Sequence, residues 1–297
     1  MIHYTGCPVC GSSNIQQQIT AIDQTVSKQQ FEIWHCNACT ARFTQDVPEL
    51  EKIGDYYKSD SYISHSDTKK GFINWLYHVI RNRTLASKKK LLVKETGLLK
   101  ASLLDVGCGT GAFLNYMRTQ GWGVVGLEPD ETARQKAAEL YSIEPEPIQN
   151  LFIQKPGSFN AITMWHVMEH VHDLHGYMDQ LKNLLAPTGK LFIAVPNYTS
   201  YDAELYEQYW AAYDVPRHLY HFSPASMKLL IEKHGMKLDS VKPMLFDSFY
   251  VSMLSEQYKY GKGNILRAFW NGLMSNKKAL ADKDKCSSVI YIISKSS

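Results

Sequence analysis

The stretch LLDVGCGTGAFL, residues 103–114, constrains the fold more than any other part of the chain. An apolar strand delivers Asp105, and Gly107, Gly109 and Gly111 then turn the backbone into a helix. Glycine is required where the chain bends sharply and lets a ligand lie against it. The second apolar run, VVGLEPD, ends in Glu128, a carboxylate placed to accept both hydroxyls of a ribose. Two adenosine ligands fit this pattern. Gly107, Gly109 and Ala112 also satisfy G-x-G-x-x-[GA], with Glu128 about 20 residues on, as dinucleotide enzymes have it. S-adenosylmethionine is favoured by Asp105, which stands where a dinucleotide strand is usually apolar, and by the position of the loop after some 100 residues.

Around this loop, short apolar runs alternate with helical patterns. ASLLDV precedes a helix near 111–120, WGVVGLE one near 131–141, FNAITMW one near 173–186, and GKLFIAVP, after a long loop, one near 224–234. This rhythm predicts βαβ units and a parallel sheet. Ser223-Pro224 reads as a helix start and Gly235 as a stop. MKLDSVKPMLF and SSVIYIIS read as two closing strands separated by about 40 residues, of which 248–285 reads as a helical insertion that packs as a cap, a dimer contact or a lid.

Before the sheet lie four paired cysteines, Cys7, Cys10, Cys36 and Cys39, in C-x2-C-x25-C-x2-C. Two such knuckles complete a tetrahedral thiolate site of the kind zinc prefers, with rubredoxin-type iron the lesser alternative. Four thiolates leave no open position for water, so the metal is expected to be structural. Residues 1–46 read as a zinc ribbon with a hairpin made of IQQQIT and QFEIW. Residues 47–98 read as a linker and helical cap, and 99–297 as the catalytic domain with its long loop 196–223. Cys108 and Cys286 are isolated.

Taken together, these residues resemble a class I S-adenosylmethionine-dependent methyltransferase of the broad group that includes ubiquinone-biosynthesis methyltransferases. The resemblance rests on LLDVGCGTGAFL, VVGLEPD, FNAITMWHVMEHVHD and LLAPTGKLFIAVPN and covers roughly residues 100–297. It implies an α/β, Rossmann-like seven-stranded sheet of order 3-2-1-4-5-7-6 with the last strand antiparallel. It places Asp105, Gly107, Gly109 and Gly111 on the methionine side of the cofactor, Glu128 on the ribose, Leu127 and Pro129 beside the adenosine, and His166 near the cofactor. The acid that usually binds adenine after the third strand has no obvious counterpart; Gln149 and Asn150 are the nearest polar residues. A zinc-bearing N-terminus is similar to the layout of certain sugar C-methyltransferases and of a group of ribosomal RNA guanine methyltransferases.

Methyl transfer asks the protein to align a nucleophile and remove its proton where needed. The candidates stand after the fourth and fifth strands: His166 and His170, with Glu169 between them, and His218 in DVPRHLYHFS. In the alternative reading, Glu169 or His170 fixes the turn by hydrogen bonds. Arg217 either pairs with Asp214 to hold the loop or binds an anionic group on the substrate. The tyrosines and Trp210 of 196–223 read as a wall around a ring, sugar or apolar tail. There is no N-P-P-Y, no Pro-Cys pair for attack on a pyrimidine and no divalent-metal carboxylate set of the catechol type.

The leading expectation is a methyltransferase for a small biosynthetic metabolite (a sugar, quinone-like ring or nucleotide-linked intermediate), at oxygen or carbon. An RNA methyltransferase using the ribbon to bind RNA, or an inert zinc-ribbon partner-binding protein, are the rivals. With no apolar run of membrane length and an N-terminus unlike a secretory signal, the chain reads as cytoplasmic. Its net charge of +3 is too mild to argue for nucleic acid. That total conceals two basic segments, 69–100 at +8 and 259–285 at +5; were they to meet, the rim would suit an anionic substrate.

Overall fold

The computed structural model describes residues 1–58 and 72–296. The tyrosine-bearing linker beyond Lys58 and the first lysines of the basic segment fall outside them.

The central sheet has six strands. They are β4 (Ser102–Val106), β5 (Gly123–Leu127), β6 (Phe159–Trp165), β7 (Leu185–Pro196), β9 (Met236–Pro243) and β10 (Ser288–Lys295), in the order β5-β4-β6-β7-β10-β9. The first four run parallel, and β10 is antiparallel to both β7 and β9. The interior strands are continuous apolar runs because helices cover both faces; in β10 the first six residues are all buried.

The expected seventh strand is reduced to one residue. Glu146 bridges Leu127 in parallel: its N–H donates to Gly126 O at 2.9 Å and its carbonyl accepts from Glu128 N–H at 2.9 Å. Pro145 and Pro147 flank it. Their own N–H positions would face away from β5, so they do not break the ladder; it is short because the chain leaves a helix only at Ser142 and enters a short helical segment, Ile148–Ile153, right after Pro147. The observed order is therefore 2-1-4-5-7-6, with the third strand present only as this bridge.

Helices begin where local chemistry allows. The helix α1 (Phe72–Thr96) precedes β4. Gly111, at φ 77°, opens α2 (Ala112–Thr119). Asp130 caps α3 (Glu131–Tyr141) by accepting from the Thr132 and Ala133 N–H groups. α4 (Leu174–Leu184) and the short α5 (Tyr201–Tyr206) follow. Ser223 and Ser226 form a capping box on α6 (Pro224–Lys233), with proline at its first position. The 248–285 insertion is a helix pair, α7 (Asp247–Tyr260) and α8 (Ile265–Ala281), with Phe249 lying against Gly272. Among the described residues no helix is long and apolar enough to cross a membrane.

A second sheet holds the cysteine ribbon: β1 (Ile15–Ile22), β2 (Gln30–Cys36) and β3 (Arg42–Thr44), joined by β8 (Tyr220–His221). β8 comes from the long loop after β7, so a strand of the 196–223 loop completes the ribbon sheet. Its register pairs Arg42 with His221 and Phe43 with Tyr220. Cys7, Val9, Cys36 and Cys39 share one apolar core with Met227, Leu230 and the central strands.

Candidate active site

The glycine loop crosses the C-terminal edge of β4. The Gly107 and Cys108 N–H groups both donate to Leu127 O, at 2.7 and 3.0 Å, which ties the loop to the end of β5. Gly107 stands at φ 71°, and a Cβ there would meet Val167 at 2.4 Å. Gly109 is different: nothing lies within 4 Å of an added Cβ, and its N–H donates to Glu128 Oε2 at 2.8 Å. The other Glu128 oxygen accepts from Asp130 N–H at 3.0 Å. Burial pushes the Glu128 carboxyl up, against these two N–H groups.

Asp105 is buried and accepts from Thr163 Oγ1 at 2.6 Å. Burial raises its carboxyl to about 6, while the Thr163 bond and the Lys88 charge pull the other way. Lys88, from α1, lies over the Trp165 ring at 4.2 Å and the Phe113 ring at 5.5 Å. Burial lowers its ammonium to about 8, opposed by Asp105 and Asp247. In sequence, Lys88 is one of several lysines in the basic run 69–100. Helical register was the available signal: Lys88 follows Leu85 by three residues and precedes the buried Leu92 by four, so it shares their core-facing side.

Asn150 turns to Glu146, donating at 2.9 Å, and Gln149 is exposed.

The three histidine candidates, drawn from two separate loops, meet at the ends of β6 and β7. His166, at φ 58°, has Nε2 2.8 Å from Asp247 Oδ2 and Nδ1 3.4 Å from Glu169 Oε1. Burial disfavours its imidazolium, but the Asp247 and Glu169 carboxylates outweigh burial and hold it at about 10. His170 and His218 meet edge to face with ring centroids 4.5 Å apart. His170 is lowered to about 4, by burial first and then by His218. The Arg217 carbonyl lies 3.0 Å from His170 Nδ1, and the Ala212 carbonyl 2.8 Å from His218 Nδ1. A carbonyl only accepts, so Nδ1 carries a proton in each ring; the Tyr57 hydroxyl also lies 3.0 Å from His170 Nδ1. The loops are locked together by Leu219 N–H donating to Glu169 O at 2.8 Å.

Arg217 does not face a ligand. It is 1% exposed; it donates through Nε and Nη2 to both Asp214 oxygens, through Nη2 to Asp23, and through Nη1 to Tyr56 O. Two carboxylates match its charge. The aromatic loop is also mostly interior. Tyr198, Tyr206, Trp210 and Tyr213 pack in a second core with Ala21, Phe31 and Ile33 of the ribbon. Apolar area that looked like a ligand wall in sequence is the interface that seats the ribbon.

In the ribbon, Cys7 and Cys39 sulfurs are 3.6 Å apart, as are those of Cys10 and Cys36. All four ligand atoms lie within 4.8 Å of one another. Tetrahedral zinc with Zn–S of about 2.3 Å has S–S edges of about 3.8 Å, so the donor set and its spacing fit.

Comparison with known proteins identifies the family and the fold. The family model described as a methyltransferase domain matches residues 77–241, more than half of the chain. The chain belongs to the class I S-adenosylmethionine-dependent methyltransferases. It is 29% identical over 166 residues to a ubiquinone biosynthesis O-methyltransferase of Xanthomonas euvesicatoria, covering 50% of this chain and 68% of that one. To the human mitochondrial ubiquinone biosynthesis O-methyltransferase it is 27% identical over 168 residues, 51% of this chain and 46% of the human one. Among solved structures it superposes on magnesium protoporphyrin IX methyltransferase from Synechocystis with bound S-adenosylhomocysteine, at TM-score 0.52 and 15% identity, covering 84% of this chain and all of that one. That likeness supports the methyltransferase fold. This methyltransferase differs from the expected sheet in its missing third strand and adds a four-cysteine ribbon ahead of the sheet.

Proposed function

We propose that this methyltransferase moves the methyl group of S-adenosylmethionine to an oxygen of a small biosynthetic metabolite, with a zinc-bound ribbon as scaffold. The observation that carries this reading is the packing of the glycine loop on the turn that bears His166 and His170: a Cβ at Gly107 would meet Val167 at 2.4 Å. The cofactor supplies an activated methyl on a sulfonium. Glu128 would accept the ribose hydroxyls. Asp105 would take the amino group of the methionine end, and the Lys88 ammonium its carboxylate. These contacts hold the cofactor while the acceptor is aligned for in-line displacement.

On the acceptor side, His166 is kept charged by Asp247 and Glu169, so it orients and donates rather than taking a proton. His170, lowered to about 4, is neutral at pH 7, and with Nδ1 beside the Arg217 carbonyl its Nε2 would hold the lone pair, so the proton of an acceptor hydroxyl would have a nitrogen to leave toward. The O-methyltransferase names of the relatives support oxygen over carbon as the accepting atom. With Arg217 matched by Asp214 and Asp23, this site supplies no guanidinium for an anionic group. Zinc is the metal whose chemistry suits four thiolates, and with no open position it would stabilise rather than react.

The test is incubation of the full chain with methyl-labelled cofactor and fractionated small-molecule extract. A labelled product carrying a new methyl ether, formed by the wild type and reduced at least tenfold by H170A with cofactor affinity unchanged, supports the reading. Label recovered only in RNA, or no transfer to any fraction, would overturn it.

A further inference from the structure

The helix pair of the insertion is turned inside out. α7 buries Ser248, Ser252 and Ser255, and α8 buries Ala268, Gly272 and Ser275. The large apolar side chains of α8 point outward: Ile265, Leu266, Phe269, Trp270, Leu273 and Leu280 are between 41% and 83% exposed. A surface helix ordinarily turns its apolar stripe to the core. These helices cannot roll to hide theirs, because polar bonds fix their inner sides. Ser275 Oγ donates to Asp202 Oδ1 at 2.7 Å, Ser248 Oγ to Asn276 Oδ1 at 3.0 Å, and Tyr206 Oη to Glu256 Oε1 at 3.0 Å. Phe249 stacks on Phe269 with ring centroids 5.3 Å apart, which carries the face onto α7.

The face is large. Side chains of this size and exposure present roughly 100 Å² or more each, so the six on α8 offer on the order of 700 Å², above the ~300–600 Å² of the largest apolar patch on a typical monomer and close to the ~800 Å² per partner of a standard interface. The spacing says what covers it. Leu266, Leu273 and Leu280 recur every seven residues, close to two helical turns, and so form one stripe with Leu273 at its centre. A two-fold axis at Leu273 that lays α8 antiparallel against α8 of a second copy sets Leu273 on Leu273 and Leu266 on Leu280. The same register brings the exposed Lys262, just ahead of α8, beside the exposed Asp284, just after it. It also brings Lys277 beside Phe269, where an ammonium suits an aromatic face. An anionic lipid surface would instead repel Asp282 and Asp284 at the end of the stripe.

We propose that this face is an interface between two copies of the chain, an isologous dimer in which antiparallel α8 helices meet at Leu273. A two-fold interface has to be complementary to itself, and the leucine spacing and the Lys262–Asp284 exchange both meet that condition. α7 opens at Asp247, whose carboxylate lies 2.8 Å from His166, so the seam and the active site share one helix pair. Association requires no acceptor, so its failure would leave the methyl-transfer reading standing.

The test is sedimentation velocity of the full, zinc-loaded chain over a wide range of concentration. The wild type is expected at twice the chain mass, dissociating reversibly on dilution. L266D and L273D should each weaken association by more than about 100-fold, since the two-fold brings each substitution twice into the buried centre of the interface. K262D should weaken it about tenfold and K262D/D284K should restore it, as two symmetric charge pairs at a rim would. Far-ultraviolet circular dichroism and S-adenosylhomocysteine affinity of every variant should match the wild type, which separates loss of the dimer from loss of the fold. A wild type of single-chain mass, whether free or captured by anionic phosphatidylglycerol vesicles, would overturn the proposal. So would a dimer retained by both leucine variants, or one indifferent to K262D.

Discussion

Arg217 Nη2 lies 3.0 Å from Asp23 Oδ1, joining two residues 194 positions apart, with side chains 1% and 0% exposed. Asp23 sits in the hairpin between β1 and β2, and its oxygens also accept from the Thr25, Val26 and Ser27 N–H groups. The pair ties the ribbon to the loop that carries His218. Without Asp23, Arg217 keeps its two bonds to Asp214 and loses one hydrogen bond between charged groups, worth about 1.5–3 kcal/mol. Asp23→Ala is therefore expected to lower unfolding stability by about that amount in urea, with S-adenosylhomocysteine affinity unchanged in the folded protein. A loss below about 1 kcal/mol would show that the clamp does not hold the ribbon.

The contact proposed between Lys88 and the cofactor carboxylate carries a pH dependence. Its ammonium titrates at about 8 in the folded protein, and only the charged form attracts a carboxylate. Affinity for S-adenosylhomocysteine should fall as pH rises through 8. A hydrogen bond to a charged group is worth about 1.5–3 kcal/mol, so Lys88→Met should bind about 10- to 100-fold more weakly at pH 7. Calorimetry at pH 7 and pH 9 checks both points: the drop between them should shrink in the variant, and an equal drop would remove Lys88 from the cofactor site.

The His166 triad links stability to pH. Its folded value, about 10, lies above the ordinary histidine value of 6.5. Between these two values the folded protein keeps a proton that the unfolded chain has lost. The contribution is complete below pH 6.5 and disappears as pH rises through 10. Thermal midpoints of the wild type should decline across that window, and His166→Gln should flatten the decline. Parallel curves for the two proteins would contradict the triad.

Metal removal should act on the whole molecule. Cys7, Cys36 and Cys39 share a core with Met227 and Leu230, so the ribbon cannot melt alone without opening that core. Chelation is expected to move a single calorimetric transition down by about 10 °C or more, a shift that corresponds to several kcal/mol in a chain of this size. Two separated transitions would mean that the ribbon is an independent unit.

Much of the cofactor edge was legible because it is local. Gly107, Gly109 and Gly111 need their backbone geometry wherever the chain goes, and Asp105 and Glu128 are delivered by the strands that precede them. The histidines were legible as types and loops, but their meeting was not. His170 and His218 are 48 positions apart, and the 4.5 Å between their rings depends on the Leu219–Glu169 bond and the β3–β8 pairing. The third strand of the expected sheet shrank to the Glu146–Leu127 bridge because a short helical segment, Ile148–Ile153, begins two residues later.

By itself, then, the sequence determined the strand–helix rhythm, the glycine loop with its two carboxylates and the four-cysteine donor set. Each depends on neighbours within a few residues, where backbone sterics and side-chain spacing decide. Only the tertiary structure decided what Arg217 pairs with, that the tyrosine-rich loop is core rather than pocket wall, and that Lys88 is buried over Trp165 and Phe113. Those outcomes rest on which distant surfaces come together to exclude water, and the charge or aromatic character of a side chain does not say which partner will bury it.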